Sequence, residues 1–218
     1  MSWWPWQVQH PALRAYQQSV RGLKTQEPAA VIDLEFDALD HRKARILSIA
    51  VLPVTDGWID LGGLWHCYLQ QPDTDTQSVA VHGILQKQLS GGLPEAEALE
   101  TFLHKISGKR LVGHGIDMDV RLLRHRMQQL GWGSFRPPTA DTLRLARRLD
   151  GQHEQVAGYY TLASCCARAQ LPLLDEHTAP GDAYATALLW LKLRGGDGRR
   201  ETVDRRQMTD DRRLQGRM

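Results

Sequence analysis

The spacing of hydrophobic and polar positions changes along the chain and predicts strands in its first half. The segment AAVIDLEF, residues 29–36, is an apolar run typical of a buried strand. RILSIAVLPV predicts a second strand and WIDLGGLWHCYLQ a third, with Asp56-Gly57 as the hairpin turn between them. We therefore expect three consecutive strands in an antiparallel meander.

Helical spacing dominates the second half, where it alternates with short strands. Helices are predicted for PEAEALETFLHKI, DVRLLRHRMQQLG, YTLASCCARAQL and DAYATALLWLKLR. KRLVGHG predicts a short strand, and PPTADTLRLARRLD a final strand and helix. Strands first, followed by alternating helices and strands, predict an α/β fold with a mixed sheet flanked by helices.

Both ends of the chain differ from its middle. Residues 1–27 contain three tryptophans among the first six residues, followed by helical spacing from Leu13 to Leu23. The tryptophans either cover apolar surface of the domain or contact a partner or a membrane surface. Residues 196–218 are rich in charge and poor in apolar side chains, so we expect a disordered tail. The predicted organisation is a helical extension (1–27), one domain (28–195) and a charged tail (196–218).

The net charge of +2 is unevenly distributed. Residues 109–148 carry nine Lys or Arg against three Asp, a local charge of +6. Such a basic stretch favours binding of a phosphodiester backbone, although a solvated helix face would have the same composition.

Cysteine usage and hydropathy predict a cytoplasmic protein. The three cysteines, two of them adjacent, form neither a disulfide framework nor a zinc-site spacing, which is typical of buried thiols in a reducing compartment. No apolar run approaches the roughly 18–20 residues of a membrane span, and the N-terminus lacks a signal-peptide pattern. We therefore expect no membrane association.

Two acids lie in the predicted central strand. Side chains alternate across a strand, so Asp33 and Glu35 share one face. Acids on a buried face are costly unless they are paired or bind a cation, and carboxylate oxygens suit Mg²⁺ or Mn²⁺. The alternative is that arginine or backbone donors satisfy them.

Further candidate ligands follow later in the chain. Asp117 and Asp119 compete for one position at the entry of a helix, where acids are also favoured by the helix dipole. Asp141 is either a further acid of this kind or a helix N-cap. His177 is predicted in a loop, five residues before Asp182 at the start of the last helix. A loop histidine beside metal-binding carboxylates can accept a proton from an attacking water, although a lone histidine is more often a surface residue.

Taken in order, these segments resemble the DEDDh exonucleases, the family that includes the proofreading epsilon subunit of bacterial DNA polymerase III and ribonuclease T. VIDLEF with the following ALDHRKARILSIAVLPV is similar to the first family motif, and LVGHGIDMDVRLL to the second. HTAPGDAYATA resembles the third motif, and VHGI at residues 81–84 a short segment that approaches the substrate. The resemblance spans residues 29–193.

The resemblance implies a ribonuclease H-like fold, with a mixed five-stranded sheet whose first three strands are antiparallel. It implies 3′–5′ hydrolysis at nucleic-acid 3′ ends, DNA favoured, with release of nucleoside monophosphates in proofreading or repair. His177 would be the general base. Two divalent ions, Mg²⁺ or Mn²⁺, would be held by Asp33, Glu35, Asp119 and Asp182.

Two departures from the family pattern concern the substrate. Phe36 stands where the family usually has Thr, and Gly115 where it commonly has Asn; neither change removes a ligand. The candidate substrate-binding residues are Phe36, His82 and His114, and Phe36 could equally pack in the core.

The expected partners are single-stranded or frayed 3′ ends, and a DNA polymerase subunit is a further candidate. The resemblance leaves both a monomer and a dimer open. The alternative function is a non-catalytic nucleic-acid-binding or polymerase-partner module on the same fold.

Overall fold

Apolar strands with little interruption build the centre of the molecule. The computed structural model describes residues 9–23, 28–71, 83–151 and 158–195. Within these residues the strands are β1 (Ala29–Phe36), β2 (Ile46–Thr55), β3 (Trp58–Ile59), β4 (Trp65–Tyr68), β5 (Arg110–Gly113) and β6 (Thr139–Asp141). They form one sheet in the order β3-β2-β1-β5-β6, with β4 also paired to β2.

Helices cover both faces of this sheet. In the described part of the chain they are α1 (Pro11–Ser19), α2 (Gln86–Ser90), α3 (Glu95–Lys105), α4 (Asp117–Gln129), α5 (Thr142–Asp150), α6 (Leu162–Arg168) and α7 (residues 179–195). A 3₁₀ helix covers Leu61–Gly63. The predicted α/β architecture with a mixed sheet flanked by helices is confirmed.

β1 is central because it pairs with strands on both sides. It is antiparallel to β2 along its length and parallel to β5. Ile32 and Leu34 point into a core shared with α1, α3 and α4, whereas Val31 faces a second core shared with α7. The alternation places Asp33 and Glu35 on the α7 side of the sheet.

The predicted third strand is wrong as a single strand. The Asp56-Gly57 turn is confirmed, and both residues have the positive φ angles, 52° and 82°, of a tight hairpin turn. After Ile59 the chain leaves the sheet because Asp60 caps the 3₁₀ helix, accepting a hydrogen bond from Gly63 N at 2.9 Å. The segment therefore supplies two short strands, and the described sheet has six strands rather than five.

A β-bulge interrupts the pairing of β1 with β2. Glu35 lies opposite Ser48, but the next residue, Phe36, lies opposite Ile46. Leu47 is therefore an extra residue of β2. Leu47 packs with Ile84 and Leu89, at the side of the sheet occupied by α2.

Several expectations about the ends of the chain fall outside the described residues. The N-terminal helix is present but ends at Ser19, with Leu13 and Tyr16 buried. The first six residues and the tail from residue 196 are not described, so the three-part organisation stays a prediction. All three cysteines are free; Cys165 and Cys166 are buried as predicted, whereas Cys67 is only half-buried. Among the helices that the structure describes, none is both long enough and apolar enough to cross a membrane.

Candidate metal centre and substrate cleft

Three carboxylates meet where the end of β1 faces the start of α7. Asp33 and Glu35 come from β1, and Asp182 comes from the first turn of α7. Each offers an oxygen to a group in which all ligand atoms lie within 4.8 Å of one another. We call these three residues the carboxylate cluster.

The loop before α7 positions both Asp182 and His177. Thr178 caps the helix: its hydroxyl donates to Asp175 O at 2.6 Å and accepts from Gly181 N at 3.2 Å. Only glycine fits at position 181, because a Cβ there would lie 2.3 Å from Asp175 O. His177 has a φ of 61°, and its proximity opposes the burial that raises the pKa of Asp182. The loop therefore holds the exposed His177 beside the cluster.

The two acids at the start of α4, Asp117 and Asp119, have different surroundings. Asp119 is 8% exposed, and its charge raises the pKa of Asp33, so it lies next to the cluster although outside the group of 4.8 Å. Asp117 is half-exposed and forms an ion pair with Arg144. Asp119 is thus the acid of this pair that can act with the cluster.

Burial and mutual repulsion disfavour ionisation of these carboxylates. Burial, followed by the charge of Asp182, raises the pKa of Glu35 to about 7. Burial and then Asp141 and Glu35 raise the pKa of Asp119 to about 8. The pKa of Asp33 is raised well above its ordinary value, first by burial and then by the other acids. Burial also raises the pKa of Asp182, against the opposing effect of His177.

The donor set fits a hard divalent cation. Asp182 Oδ1 is buried without a hydrogen-bond partner, and no lysine or arginine of the described residues pairs with the cluster. Buried anions without counter-charges are expensive unless a cation is present, and oxygen-only ligands suit Mg²⁺ or Mn²⁺. These residues therefore have the chemistry of a cation site.

An open cleft of about 360 Å³ adjoins the cluster. Glu35 of the cluster and the neighbouring His177 both line it. This volume falls in the range of about 300–1,000 Å³ that is typical of small-ligand pockets. The lining residues are Glu35, Ser48, Tyr68, Gly83, Ile84, Gln88, Glu176, His177, Thr178 and Ala179.

The predicted substrate-binding residues occupy three different situations. Phe36 packs partly against the core below β1. His114 is half-buried, with Nδ1 2.9 Å from Thr142 Oγ1 and Nε2 2.8 Å from Tyr160 O. His82 lies outside the described residues. Their roles in substrate binding stay predictions.

Asp141 has the capping role that was one of its two predicted alternatives. Its Oδ1 accepts hydrogen bonds from Leu143 N and Gly115 N, both at 2.9 Å. It therefore fastens the turn before α4 to the start of α5.

Sequence reasoning missed the polar residues on the cleft floor. Ser48, Tyr68 and Gln88 line the cleft, and the first two lie in β2 and β4. The available signal was the strand register: a polar residue opposite Glu35 on the neighbouring strand must face the same way. The sequence does not show the bulge at Leu47, so the residue opposite Glu35 could not be assigned from it.

Known proteins resemble the chain over most of its length. Residues 30–190 match the model of a protein family described as "Exonuclease". DNA polymerase III PolC-type of Halalkalibacterium halodurans is 30% identical over 162 residues, which cover 73% of this chain and 11% of that polymerase. DNA polymerase III subunit epsilon of Aquifex aeolicus is 26% identical over 165 residues, covering 75% of this chain and 78% of the subunit. The chain thus spans only a small part of the PolC-type polymerase.

A solved structure shows the same architecture. Exonuclease X in complex with 5′ overhanging duplex DNA superposes with a TM-score of 0.61 at 23% identity, covering 78% of this chain and 93% of that one. At this identity the likeness shows the fold, and it confirms the expectation of a ribonuclease H-like sheet flanked by helices.

Proposed function

The chain belongs to the exonuclease family whose model matches residues 30–190, and we propose that it is a cation-dependent 3′–5′ exonuclease. The observation that carries the proposal is the carboxylate cluster, which is partly buried, has no basic partner among the described residues, and lies beside a cleft lined by the exposed His177. The 3′–5′ direction follows the motif resemblance.

The proposed ligands of two divalent cations, Mg²⁺ or Mn²⁺, are the carboxylate cluster and Asp119. When bound, the ions would supply Lewis-acid activation of the attacking water and charge stabilisation of the leaving oxygen. The raised pKa values of Glu35 and Asp119 imply that cations and protons compete for these oxygens.

His177 is the proposed general base. It is exposed on the cleft wall, where its imidazole can take one proton from water as the water oxygen bonds to phosphorus. The bond from phosphorus to O3′ of the preceding nucleotide then breaks, which releases a nucleoside 5′-monophosphate. The departing oxygen takes a proton from solvent and becomes a new 3′ hydroxyl. Asp182 lies close enough to His177 that their charges attract, so it would stabilise the imidazolium formed in this step.

The proposed substrate is a single-stranded or frayed DNA 3′ end. Exonuclease X, a structural neighbour, is described in complex with DNA, and two relatives are DNA polymerase III proteins. Arg121 on α4 and Arg148 on α5 are exposed side chains of the basic stretch at residues 109–148, whose composition favours a phosphodiester backbone. The same relatives make a DNA polymerase a candidate partner in proofreading, with repair as the other setting.

The test is hydrolysis of a 3′-labelled DNA oligonucleotide with and without Mg²⁺ or Mn²⁺, beside a 5′-labelled copy. Early release of labelled mononucleotide from the 3′ label, abolished by EDTA, is the expected result. Release from the 5′ label first would contradict the polarity. Oligonucleotide binding without turnover in any metal would instead identify a non-catalytic binding module.

A further inference from the structure

A row of side chains continues sideways from the carboxylate cluster across three strands. In the register of the sheet, Glu35 of β1 lies opposite Ser48 of β2, and Ser48 lies opposite Tyr68 of β4. Residues directly opposite in an antiparallel pair share one face, so all three side chains face the cleft. Ser48, Tyr68 and Gln88 form what we call the polar floor.

Hydrogen bonding fixes the direction of the Tyr68 hydroxyl. The amide oxygen Oε1 of Gln88 accepts from Leu85 N at 2.8 Å, which assigns its other atom as the NH₂ group. That Nε2 donates to the Tyr68 hydroxyl at 2.6 Å. The phenol oxygen is therefore an acceptor toward Gln88, and its own proton remains available. Among the described residues, none accepts this proton.

The Tyr68 ring is also held in place. The His66 ring contacts it edge-on, with centroids 4.7 Å apart, and His66 Nε2 is 2.9 Å from Ser48 Oγ. The chain after α2 is fastened to the Tyr68 backbone, because Leu93 N donates to Tyr68 O at 2.8 Å. A Cβ on Gly92 would lie 2.6 Å from Tyr68 O, so only glycine permits this approach. A donor held in this way loses little freedom when it binds a ligand.

We propose that Tyr68 is a substrate-positioning residue, whose hydroxyl donates a hydrogen bond to an oxygen of the nucleotide occupying the cleft beside Glu35. This inference rests on the proposed function, since it assumes that the cleft receives the terminal nucleotide. Gln88 is the residue that sets the polarity of the bond. Ser48 and His66 hold the ring and its surroundings.

The first test compares the full-length wild type with Tyr68→Phe, which removes only the hydroxyl. Binding of thymidine 5′-monophosphate is measured by calorimetry in Mg²⁺, and kcat and KM are measured on 3′-labelled oligothymidylate. Loss of one neutral hydrogen bond should weaken binding of the monophosphate and raise KM by about 3- to 10-fold. kcat should change by less than about twofold, because this hydrogen bond stabilises the bound substrate and the transition state equally. Unchanged affinity and KM would overturn the inference.

The second test replaces the NH₂ donor of Gln88 with a carboxylate acceptor. Gln88→Glu offers only acceptors, so the phenol proton turns toward position 88 and is withdrawn from the cleft while the ring stays. Gln88→Glu should therefore reproduce the Tyr68→Phe effect, and the double variant should be no worse than either single one. Gln86→Glu places the same charge on the same short helix and serves as the control, with expected wild-type affinity. Additive losses in the double variant would contradict the proposed polarity.

The two proposals fail in distinguishable ways. A wild type that hydrolyses no oligonucleotide but binds the monophosphate more tightly than Tyr68→Phe refutes the nuclease and supports the positioning role. An active wild type with unaffected variants refutes only the positioning role. Deoxyribose 5-phosphate locates the acceptor: a matching loss of affinity places it on the sugar phosphate, and a loss confined to thymidine 5′-monophosphate places it on the base.

Discussion

Two groups of acids, the carboxylate cluster and the arginine-paired Asp37 and Glu95, differ in what neutralises them. Asp37, just after β1, accepts from Arg45 N at 2.7 Å and pairs with Arg45 Nε at 2.6 Å. Glu95 receives two hydrogen bonds from Arg126, at 2.6 and 2.7 Å. The carboxylate cluster has no such partner among the described residues.

Burial of an acid says little about its role until the charge that neutralises it is known. Asp37 and Glu95, the paired acids, are satisfied by arginine and tie loops and helices together. The cluster is forced to share a small volume, so its ionisation costs free energy that a cation can offset. Carboxylates that remain in such an unfavourable arrangement are typical of a binding or catalytic site.

The largest expected effect is the difference in turnover between variants of Asp33, in the carboxylate cluster, and of Asp37, which is paired with Arg45. Asp33→Asn removes a ligand from a set that acts as a unit, so turnover should fall on the order of 10⁴-fold or more. The metal-free variant should melt at a higher temperature than the wild type, because a buried repulsion is removed. Asp37→Asn should melt lower and keep turnover within about tenfold. Oligonucleotide hydrolysis and thermal melts measure both, and equal turnover in the two variants would end the distinction.

The next largest effect is expected from His177, the proposed general base beside the carboxylate cluster. His177→Gln should lower kcat by about 10²- to 10⁴-fold, the usual contribution of a general base. Mn²⁺ affinity, measured by calorimetry, should stay close to that of the wild type because His177 is not a proposed ligand. A large loss of Mn²⁺ affinity would instead make His177 part of the metal site.

A third effect is the pH dependence of cation stabilisation. The folded pKa values of Glu35, about 7, and Asp119, about 8, exceed the ordinary values of carboxylic acids. Between about pH 4 and pH 8 the folded state therefore binds more protons than the unfolded state, and metal-free stability falls as pH rises.

Cations displace those protons, so the rise in melting temperature caused by Mn²⁺ should be small at pH 5 and largest at pH 8. With Mn²⁺ at about 1,000 times its dissociation constant, the rise at pH 8 should be roughly 10 °C. Asp33→Asn should flatten this dependence and Asp37→Asn should preserve it. A Mn²⁺ effect independent of pH would show that the cluster is not where the ion binds.

The smallest effect concerns the paired acids alone. Arg126→Gln leaves Glu95 without its bidentate partner and should cost about 1.5–3 kcal/mol of unfolding free energy. kcat and the Mn²⁺ response should be unchanged. Urea unfolding at pH 7 measures the loss, and a decrease in turnover would show that the two groups of acids are coupled.

The sequence predicted the central elements because their patterns are strong. Residues 29–36 read as a buried strand and DVRLLRHRMQQLG as a helix, and both are observed. The third strand was misjudged because its apolar residues continue through the 3₁₀ turn at residues 61–63, which Asp60 creates by a local cap. The five-residue α2 is too short to leave a helical period.

Sequence reasoning could name candidate site residues where single positions carry the chemistry. The structure brings Asp33, Glu35 and Asp182 together and places Asp119 beside them, and their roles stay predictions. The choice of Asp119 over Asp117 needed the family resemblance, since their difference lies in the distant Arg144. The roles of Ser48, Tyr68 and Gln88 depend on three-dimensional register and on the direction of one amide, which no linear pattern contains.

The extra residue in β2 lets two consecutive side chains, those of Leu47 and Ser48, point away from the same core, which strict alternation would not allow. Because Leu47 and Ser48 both avoid the core reached by Ile46 and Ile49, one anchors the segment bearing α2 and the other faces the cleft. Deleting Leu47 would restore strict alternation and draw the preceding chain forward by about 3.4 Å. Arg45 would then leave Asp37. The spacing of β2, more than any side chain in it, lets the Arg45–Asp37 ion pair and the cleft form together.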